Sequence, residues 1–218
     1  MINIFDVDYT VLKKPSAWYF LLEALSEKLI TFSQISRLPL DWLRYKLGKP
    51  NHDFIEDAVT QIAGIEQSKL ERIMQHCFEQ RMKANIYTGA MQLMQEMKEH
   101  GEKIFFASSS IDIMIKPLES FLGIDETIAS QLEFNDGKTS GRLIGNSLFG
   151  GKKKEAVAAW LAKQNISPSD VRFYSDSYTD LPLLEYVGKA IAVNPDGILK
   201  REALKRSWEI KIFRETLD

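Results

Sequence analysis

The sequence predicts a parallel α/β sheet with one long helical insertion after its first strand. Three observations carry that reading. Short apolar runs alternate with stretches of helical spacing from residue 85 onward, and strands that alternate with helices build a parallel sheet. Residues 14–84 show helical spacing and no strand signal. Two of the apolar runs lead directly into paired carboxylates, Asp6 with Asp8 and Asp176 with Asp180, at strand ends where open α/β sheets place their ligands.

Taken in order, residues 2–5 form a buried first strand, because a short continuous apolar run marks a strand covered on both faces. Alternation points Asp6 and Asp8 to the same side, where two like charges are costly unless a cation compensates them. Lys13, Lys14, Pro15 and Ser16 form a loop, with Ser16 as a helix N-cap. From residue 17 to about 44, Trp18, Leu21, Leu22, Leu25 and Leu29 recur at spacings of three and four; Pro39 interrupts the pattern and opens a new helix through Trp42 and Tyr45. Gly48-Lys49-Pro50-Asn51 is a turn, and residues 53–62 and 68–84 are two further helices with Gly64 between them.

A link at 85–88 leads into a helix over 89–100 that Gly101 ends. A second buried strand, 103–107, stops at Ser108-Ser109-Ser110, and a helix over 112–122 stops at Gly123. Asn135-Asp136-Gly137-Lys138, between two strand-like runs in 127–144, signals a hairpin. Gly150-Gly151 precedes Lys152, Lys153 and Lys154 and a helix over 155–164 with Val157, Trp160 and Leu161 on one face. The strand at 171–175, a short helix closed near Gly188, and strands at 190–193 and 209–213 complete the pattern, with no internal repeat.

Composition narrows the function. With 218 residues, 44% hydrophobic and 27% charged, the chain suits one domain with a sizeable insertion. A formal net charge of −2 argues against nucleic acid or an acidic membrane as the main partner. The single cysteine, Cys77, excludes a disulfide framework and sits in an amphipathic pattern that suits core packing. No signal-like leader opens the sequence and no apolar segment reaches transmembrane length, so a cytoplasmic enzyme is the expectation.

On a parallel sheet, Asp6, Asp8, Ser108, Asp176 and Asp180 come to one edge, with the lysine cluster beside them. That set fits phosphoryl transfer. A carboxylate nucleophile splits phosphate-ester hydrolysis into formation and hydrolysis of an aspartyl-phosphate. The repulsion between carboxylate and phosphate is offset by an oxygen-bound Mg²⁺ and a lysine ammonium. A hydroxyl and backbone N–H groups hold the phosphate oxygens, and a second carboxylate serves as acid and then as base.

Asp6-Val7-Asp8-Tyr9-Thr10, Phe106-Ala107-Ser108, Lys153 and Tyr174-Ser175-Asp176-Ser177-Tyr178-Thr179-Asp180 resemble the four motifs of the haloacid-dehalogenase-like (HAD) phosphatases. The insertion between the first two motifs, and the run from Tyr174 through Ala192-Val193-Asn194-Pro195-Asp196, resemble the phosphoserine-phosphatase-like branch. The resemblance implies a Rossmann-like parallel sheet with helices on both faces. It implies a core domain of residues 1–13 and 85–218 and an all-helical cap domain of residues 14–84. It makes Asp6 the nucleophile and a metal ligand, Asp8 the acid/base and a backbone-carbonyl metal ligand, and Asp176 a direct Mg²⁺ ligand. Ser108, the Ser109 backbone and Thr10 bind the phosphate. Lys153 is the catalytic lysine by its spacing to Val157, Trp160 and Leu161, and Asp180 supports the site. The implied reaction is Mg²⁺-dependent hydrolysis of a small phosphorylated metabolite, with links near 13–16 and 84–87 as cap hinges.

The branch's glutamate, which reads a substrate amine, has no counterpart here: the matching region is Lys14-Pro15-Ser16. Arg37, Arg44, Lys46, His52 and Arg81 are the insertion's polar candidates for selectivity, each weighed against a solvated surface role. His52, His76 and His100 are too scattered for a metal triad, and the four tryptophans are expected to pack core and insertion, with Trp18 and Tyr19 near the hinge. A phosphotransferase or phosphomutase would use the same groups. A dehalogenase would not need Asp8 or the second acid pair. A non-turnover phospho-aspartate signalling domain would carry no large insertion after its first strand.

Overall fold

The computed structural model describes residues 1–30 and 54–217. The expectations at Pro39, Trp42, Tyr45 and the 48–51 turn, and those for Arg37, Arg44, Lys46 and His52, lie outside the described residues.

Among the described residues the strands are β1 (Ile2–Phe5), β2 (Lys103–Ile111), β3 (Glu126–Asn135), β4 (Lys138–Ile144), β5 (Val171–Ser175), β6 (Lys189–Val193) and β7 (Glu209–Lys211). They form one sheet in the order β4-β3-β2-β1-β5-β6-β7. Every pairing is parallel except β3 with β4, the hairpin that Asp136 and Gly137 turn with positive φ of 49° and 73°. β1 is central, with Phe5 in register with Phe106 of β2 and with Tyr174 of β5.

Pleat alternation divides the core in two. Phe5, Ile104, Phe106, Tyr174 and Ile191 face one side, and Ile4, Phe105, Phe173, Ala190 and Ala192 face the other. The first side is packed by α1 (Ser16–Ser26), α3 (Gln67–Cys77), α4 (Thr88–Glu99) and α5 (Asp112–Leu122), and α2 (Phe54–Thr60) joins it through Val59. The second is packed by α6 (Gly151–Lys163), α7 (Leu181–Leu184) and α8 (Gly197–Lys205). Helices on both faces of a mostly parallel sheet are the predicted class.

Between β1 and β2 the regular elements among the described residues are all helices. The stretch read as one helix over 68–84 keeps helical backbone but changes pitch, passing from α3 to a π turn at Phe78–Met82 and a 3-10 turn at Lys83–Asn85. The two links into this insertion pair with each other: Lys13 N–H donates to Asn85 O at 2.9 Å and Tyr87 N–H to Val11 O at 2.9 Å. The C-terminal segment adds to that ribbon, Leu217 N–H donating to Ile86 O and Thr88 N–H to Glu215 O. Phe213 lies so close to Gly89 that a Cβ there would stand 2.5 Å from its ring.

Three readings need correction. β2 does not stop at residue 107; it continues through a bulge to Ile111, because Ser109 and Ser110 are extra relative to β3 and the pairing resumes at Ile111 with Ser130. Ser16 is not an N-cap but the first residue of α1, its N–H taken by Asp8. Trp18 does not pack the core: it is 45% exposed, with the Lys14 ammonium 5.7 Å from its ring.

Candidate active site

The register of the central strands sets the geometry. With Phe5 beside both Phe106 and Tyr174, Asp6, Ser108 and Asp176 come to the same edge of the sheet, and Asp6 N–H donates to Tyr174 O at 2.8 Å. Phe5 and Tyr174 stack beneath them with ring centroids 4.1 Å apart. After Asp8 the chain turns sharply through Tyr9 at φ 61°, and Val11 and Leu12 N–H both return to Val7 O. A bulky residue in the left-handed region is uncommon and marks a backbone held in place by its surroundings.

The lysines at the start of α6 sit against the helix dipole, and each has its own compensation. Lys152 reaches Glu155 at 3.0 Å, and Lys154 stands 4.7 Å from the Tyr186 ring centroid. Lys153 alone turns inward, its ammonium 2.9 Å from Asp6 Oδ1 and 2.8 Å from Asp180 Oδ2. Ser175 Oγ also donates to Asp180 Oδ2, at 2.7 Å. Thr10 Oγ1 makes a long contact, 3.5 Å, with Asp176 Oδ1, so its hydroxyl is on a carboxylate of the cluster.

The electrostatics of this cluster are lopsided. Asp6, Asp176 and Asp180 are all buried, and among the described residues one ammonium, that of Lys153, faces them. Asp6 is pushed up to about 7: burial is the largest cause, Asp180 and Asp8 add to it, and Lys153 acts in the opposite direction. Asp176 stands well above the usual carboxylate range through burial, with Asp6 and Asp180 adding to the effect. Burial works against the Lys153 ammonium, but Asp180 and Asp6 outweigh it and raise its pKa. Asp180 Oδ1 is buried with no hydrogen-bond partner. An oxygen-rich pocket short of positive charge is the chemistry of a hard divalent cation. Among the described residues no three His, Cys, Asp or Glu side chains make a cage for an ion by themselves. Two carboxylates plus a backbone carbonyl suit Mg²⁺, which keeps several waters.

Asp8 sits to one side and faces the insertion. Ser16 N–H donates to its Oδ1 at 2.8 Å and Ser110 Oγ to its Oδ2 at 2.9 Å. Burial raises the Asp8 pKa, and these hydrogen bonds act in the opposite direction. The three serines of β2 part company. Ser108 Oγ accepts from Ser110 N–H at 3.1 Å, and Ser109 Oγ donates to Leu148 O, so Ser109 can meet a phosphate only through its backbone. Of the selectivity candidates, Arg81 is taken up by Glu23 at 2.8 Å. Ser16 and Ser110 carry no motif signal, and Ser175, though it lies within the fourth motif, has no assigned role there; none of the three is among the expected site residues. Asp196 is more legible: an Asp before a helix is an N-cap signal, and here it accepts from Ile198 and Leu199 N–H and also from Tyr178 N–H, bracing the loop after β5.

The family model for haloacid dehalogenase-like hydrolases matches residues 4–185. The chain is 27% identical over 215 residues to the phosphoserine phosphatase SerB1 of Mycobacterium tuberculosis, covering 96% of this chain and 70% of that one. It is 29% identical over 220 residues to a histidinol-phosphatase of Neisseria meningitidis, covering 97% and 98%. A crystal structure of a protein of unknown function from Bordetella pertussis matches with a TM-score of 0.85 at 24% identity, over 96% of this chain and 97% of that one. No helix among the described residues is long and apolar enough to cross a membrane. The chain is thus a phosphoric monoester hydrolase that belongs to the haloacid dehalogenase-like hydrolases, in their phosphoserine-phosphatase-like branch.

Proposed function

We propose that this phosphatase hydrolyses a small phosphorylated metabolite in the cytoplasm through a phosphorylated Asp6, with Mg²⁺ as cofactor. The observation that carries the reading is the Lys153 ammonium shared between Asp6 and Asp180 at 2.9 and 2.8 Å, in a cluster that still has an excess of carboxylates. Asp6, Asp176 and the Asp8 carbonyl would hold Mg²⁺, which supplies the positive charge that lets a carboxylate approach a phosphate.

Each half-reaction assigns the remaining work. Lys153 fixes Asp6 Oδ1, and Oδ2 attacks phosphorus; the Oδ2–P bond forms as the bond to the leaving alkoxide breaks. Asp8 gives its proton to that oxygen. Water then attacks the phosphorus, Asp8 takes the proton of the water, and Asp6 regains its carboxylate as phosphate leaves. Ser108, whose oxygen accepts from Ser110 N–H, keeps its own O–H to donate to a phosphate oxygen, with the Ser109 N–H beside it. Thr10 steadies Asp176. Residues 14–84 form the cap, hinged at the paired links, and closing it shields the site from bulk solvent during transfer to Asp6, while the hydrolytic water enters afterwards.

Two relatives act on different phosphomonoesters by name, one a phosphoserine phosphatase and the other a histidinol-phosphatase. Initial rates with phosphoserine, histidinol phosphate, phosphocholine and an aryl phosphate, with and without Mg²⁺, test the reading. Turnover of at least one alkyl phosphate and its dependence on Mg²⁺ support it. A single stable phosphorylation without release of phosphate would replace the phosphatase with a switch.

A further inference from the structure

We propose that Ser110 is a positioning residue for the acid/base Asp8, so that one bulge in β2 sets both the phosphate-binding hydroxyl and the acid. The proposal rests on the reading of Asp8 as acid/base. Five contacts carry it. Ser110 Oγ donates to Asp8 Oδ2 at 2.9 Å, and Ser110 N–H donates to Ser108 Oγ at 3.1 Å. Ser16 Oγ lies 2.6 Å from Ser110 Oγ but 3.4 Å from Asp8 Oδ2, so Ser110 is the nearer hydroxyl and Ser16 reaches the acid mainly through it. Ser16 N–H holds the other oxygen, Oδ1, at 2.8 Å.

The bulge explains how Ser110 comes to face β1. Along a regular strand Ser108 and Ser110 would share a face, two residues apart. In the bulge Ser108 pairs with Ala129 and Ile111 with the next residue, Ser130, so the two intervening serines are free to be re-aimed. The bulge is pinned from outside the cluster. Ser130 Oγ donates to Ser109 O at 2.8 Å, Leu148 N–H donates to Ser130 Oγ at 3.0 Å, and Ser109 Oγ donates to Leu148 O at 3.1 Å. Ser110 therefore stands on a backbone fixed to β3 and to the loop before α6. The other support of Asp8, Ser16, belongs to the first turn of the insertion and shifts if the insertion moves. Ser110 is the support of the acid that stays with the sheet.

A general acid matters in proportion to how poor the leaving group is, and this gives the test. On an alkyl phosphate the departing alkoxide needs the proton; on p-nitrophenyl phosphate it does not. The measurement is kcat/KM for both substrates, which reports the steps through phosphorylation of Asp6 and not the hydrolysis common to both, with wild type, D8N, S110A, S110C and S110T, on folded holoenzyme in saturating Mg²⁺. For S110A the alkyl-to-aryl ratio of kcat/KM is expected to fall by about 10-fold or more, part of the roughly 10²–10⁴ that an acid contributes. S110C keeps the volume but is a poor donor and should behave like S110A; either variant carries the test if the other does not fold. S110T keeps the hydroxyl and should restore the ratio. Because both rates come from one preparation, partial unfolding lowers them together and leaves the ratio alone. A collapsed ratio in D8N with an unchanged one in S110A and S110C overturns the positioning role and leaves the acid assignment standing. An unchanged ratio in D8N removes the acid assignment itself, and the proposal with it.

Discussion

Glu23 and Asp6 are both carboxylates withdrawn from water, 2% and 6% exposed, yet their surroundings push them in opposite directions. Glu23, on α1, faces the Arg81 guanidinium at 2.8 Å and the His76 ring at 2.6 Å. Burial alone would raise its pKa, but Arg81 and His76 more than offset that and hold it below the usual carboxylate range. Asp6 shares a single ammonium with Asp180 and has Asp176 nearby, and its pKa is pushed up to about 7. One carboxylate with two nitrogen partners is a finished structural joint, which ties α1 to α3 and the π turn. Three carboxylates with one ammonium among the described residues form an incomplete set, and that shortfall suits a divalent cation and a phosphate-handling nucleophile.

The largest effect expected from this contrast is at Asp6. Asp6→Asn should cut kcat by at least about a thousandfold, the scale on which loss of a nucleophile is felt. The fold should survive, because the amide oxygen can still accept from Lys153 and one negative charge leaves an overcharged cluster. Thermal unfolding checks the second half: the metal-free melting temperature of the variant should equal or exceed that of wild type. Retention of more than a few per cent of activity would sink the nucleophile assignment. Next in size is the metal. Chelation should take turnover to baseline and Mg²⁺ should restore it. At about 100 times its Kd, Mg²⁺ should also stabilise the protein by about 2.7 kcal/mol. Asp176→Asn should lose that stabilisation along with the activity.

At Glu23 the signs reverse. Glu23→Gln should leave kcat near the wild-type value while removing charge-assisted hydrogen bonds worth about 2 kcal/mol. For a chain of this size that is a fall of roughly 4–8 °C in melting temperature. An equal loss of kcat and stability would mean that the joint communicates with the site and that the contrast is false.

The two clusters also differ in how far the sequence disclosed them. The acid pairs after β1 and β5 were legible because strand ends and carboxylate spacing are local features, and a parallel sheet brings its ends to one edge. Lys153 was separable from its neighbours only through the helix spacing of Val157, Trp160 and Leu161, and the structure turns that lysine alone into the cluster. Glu23, His76 and Arg81 gave no signal, since they lie 53 and 58 residues apart and meet only when α1 packs on α3. The contacts of Ser110 and Ser16 with Asp8 were hidden for a related reason. A bulge depends on pairing with β3, and an apolar strand followed by three serines reads simply as a strand that stops.

The smallest expected effect separates the clusters by pH. In the metal-free protein Asp6 and Asp176 hold protons that the unfolded chain releases, so above the ordinary carboxylate value of 3.8 the native state binds more protons, for Asp6 up to about 7. Their contribution to stability is fully present below the lower value and is lost as pH rises, for Asp6 through about 7 and for Asp176 through its own raised value. Glu23 has the opposite sign: its contribution is present above its ordinary value of 4.5 and is lost as pH falls through its lower folded value. Melting temperatures of chelated protein at pH 5.5 and 7.5 should therefore differ less in Asp176→Asn than in wild type, because the variant lacks one of the groups that takes up a proton. Glu23→Gln should leave that difference unchanged and should flatten the profile only below about pH 4.5. Saturating Mg²⁺ should shrink or invert the wild-type difference, since the ion binds the deprotonated ligands and is displaced by acid. Equal pH slopes for chelated wild type and Asp176→Asn would show that the carboxylates at the sheet edge are already compensated, and the two clusters would then be alike.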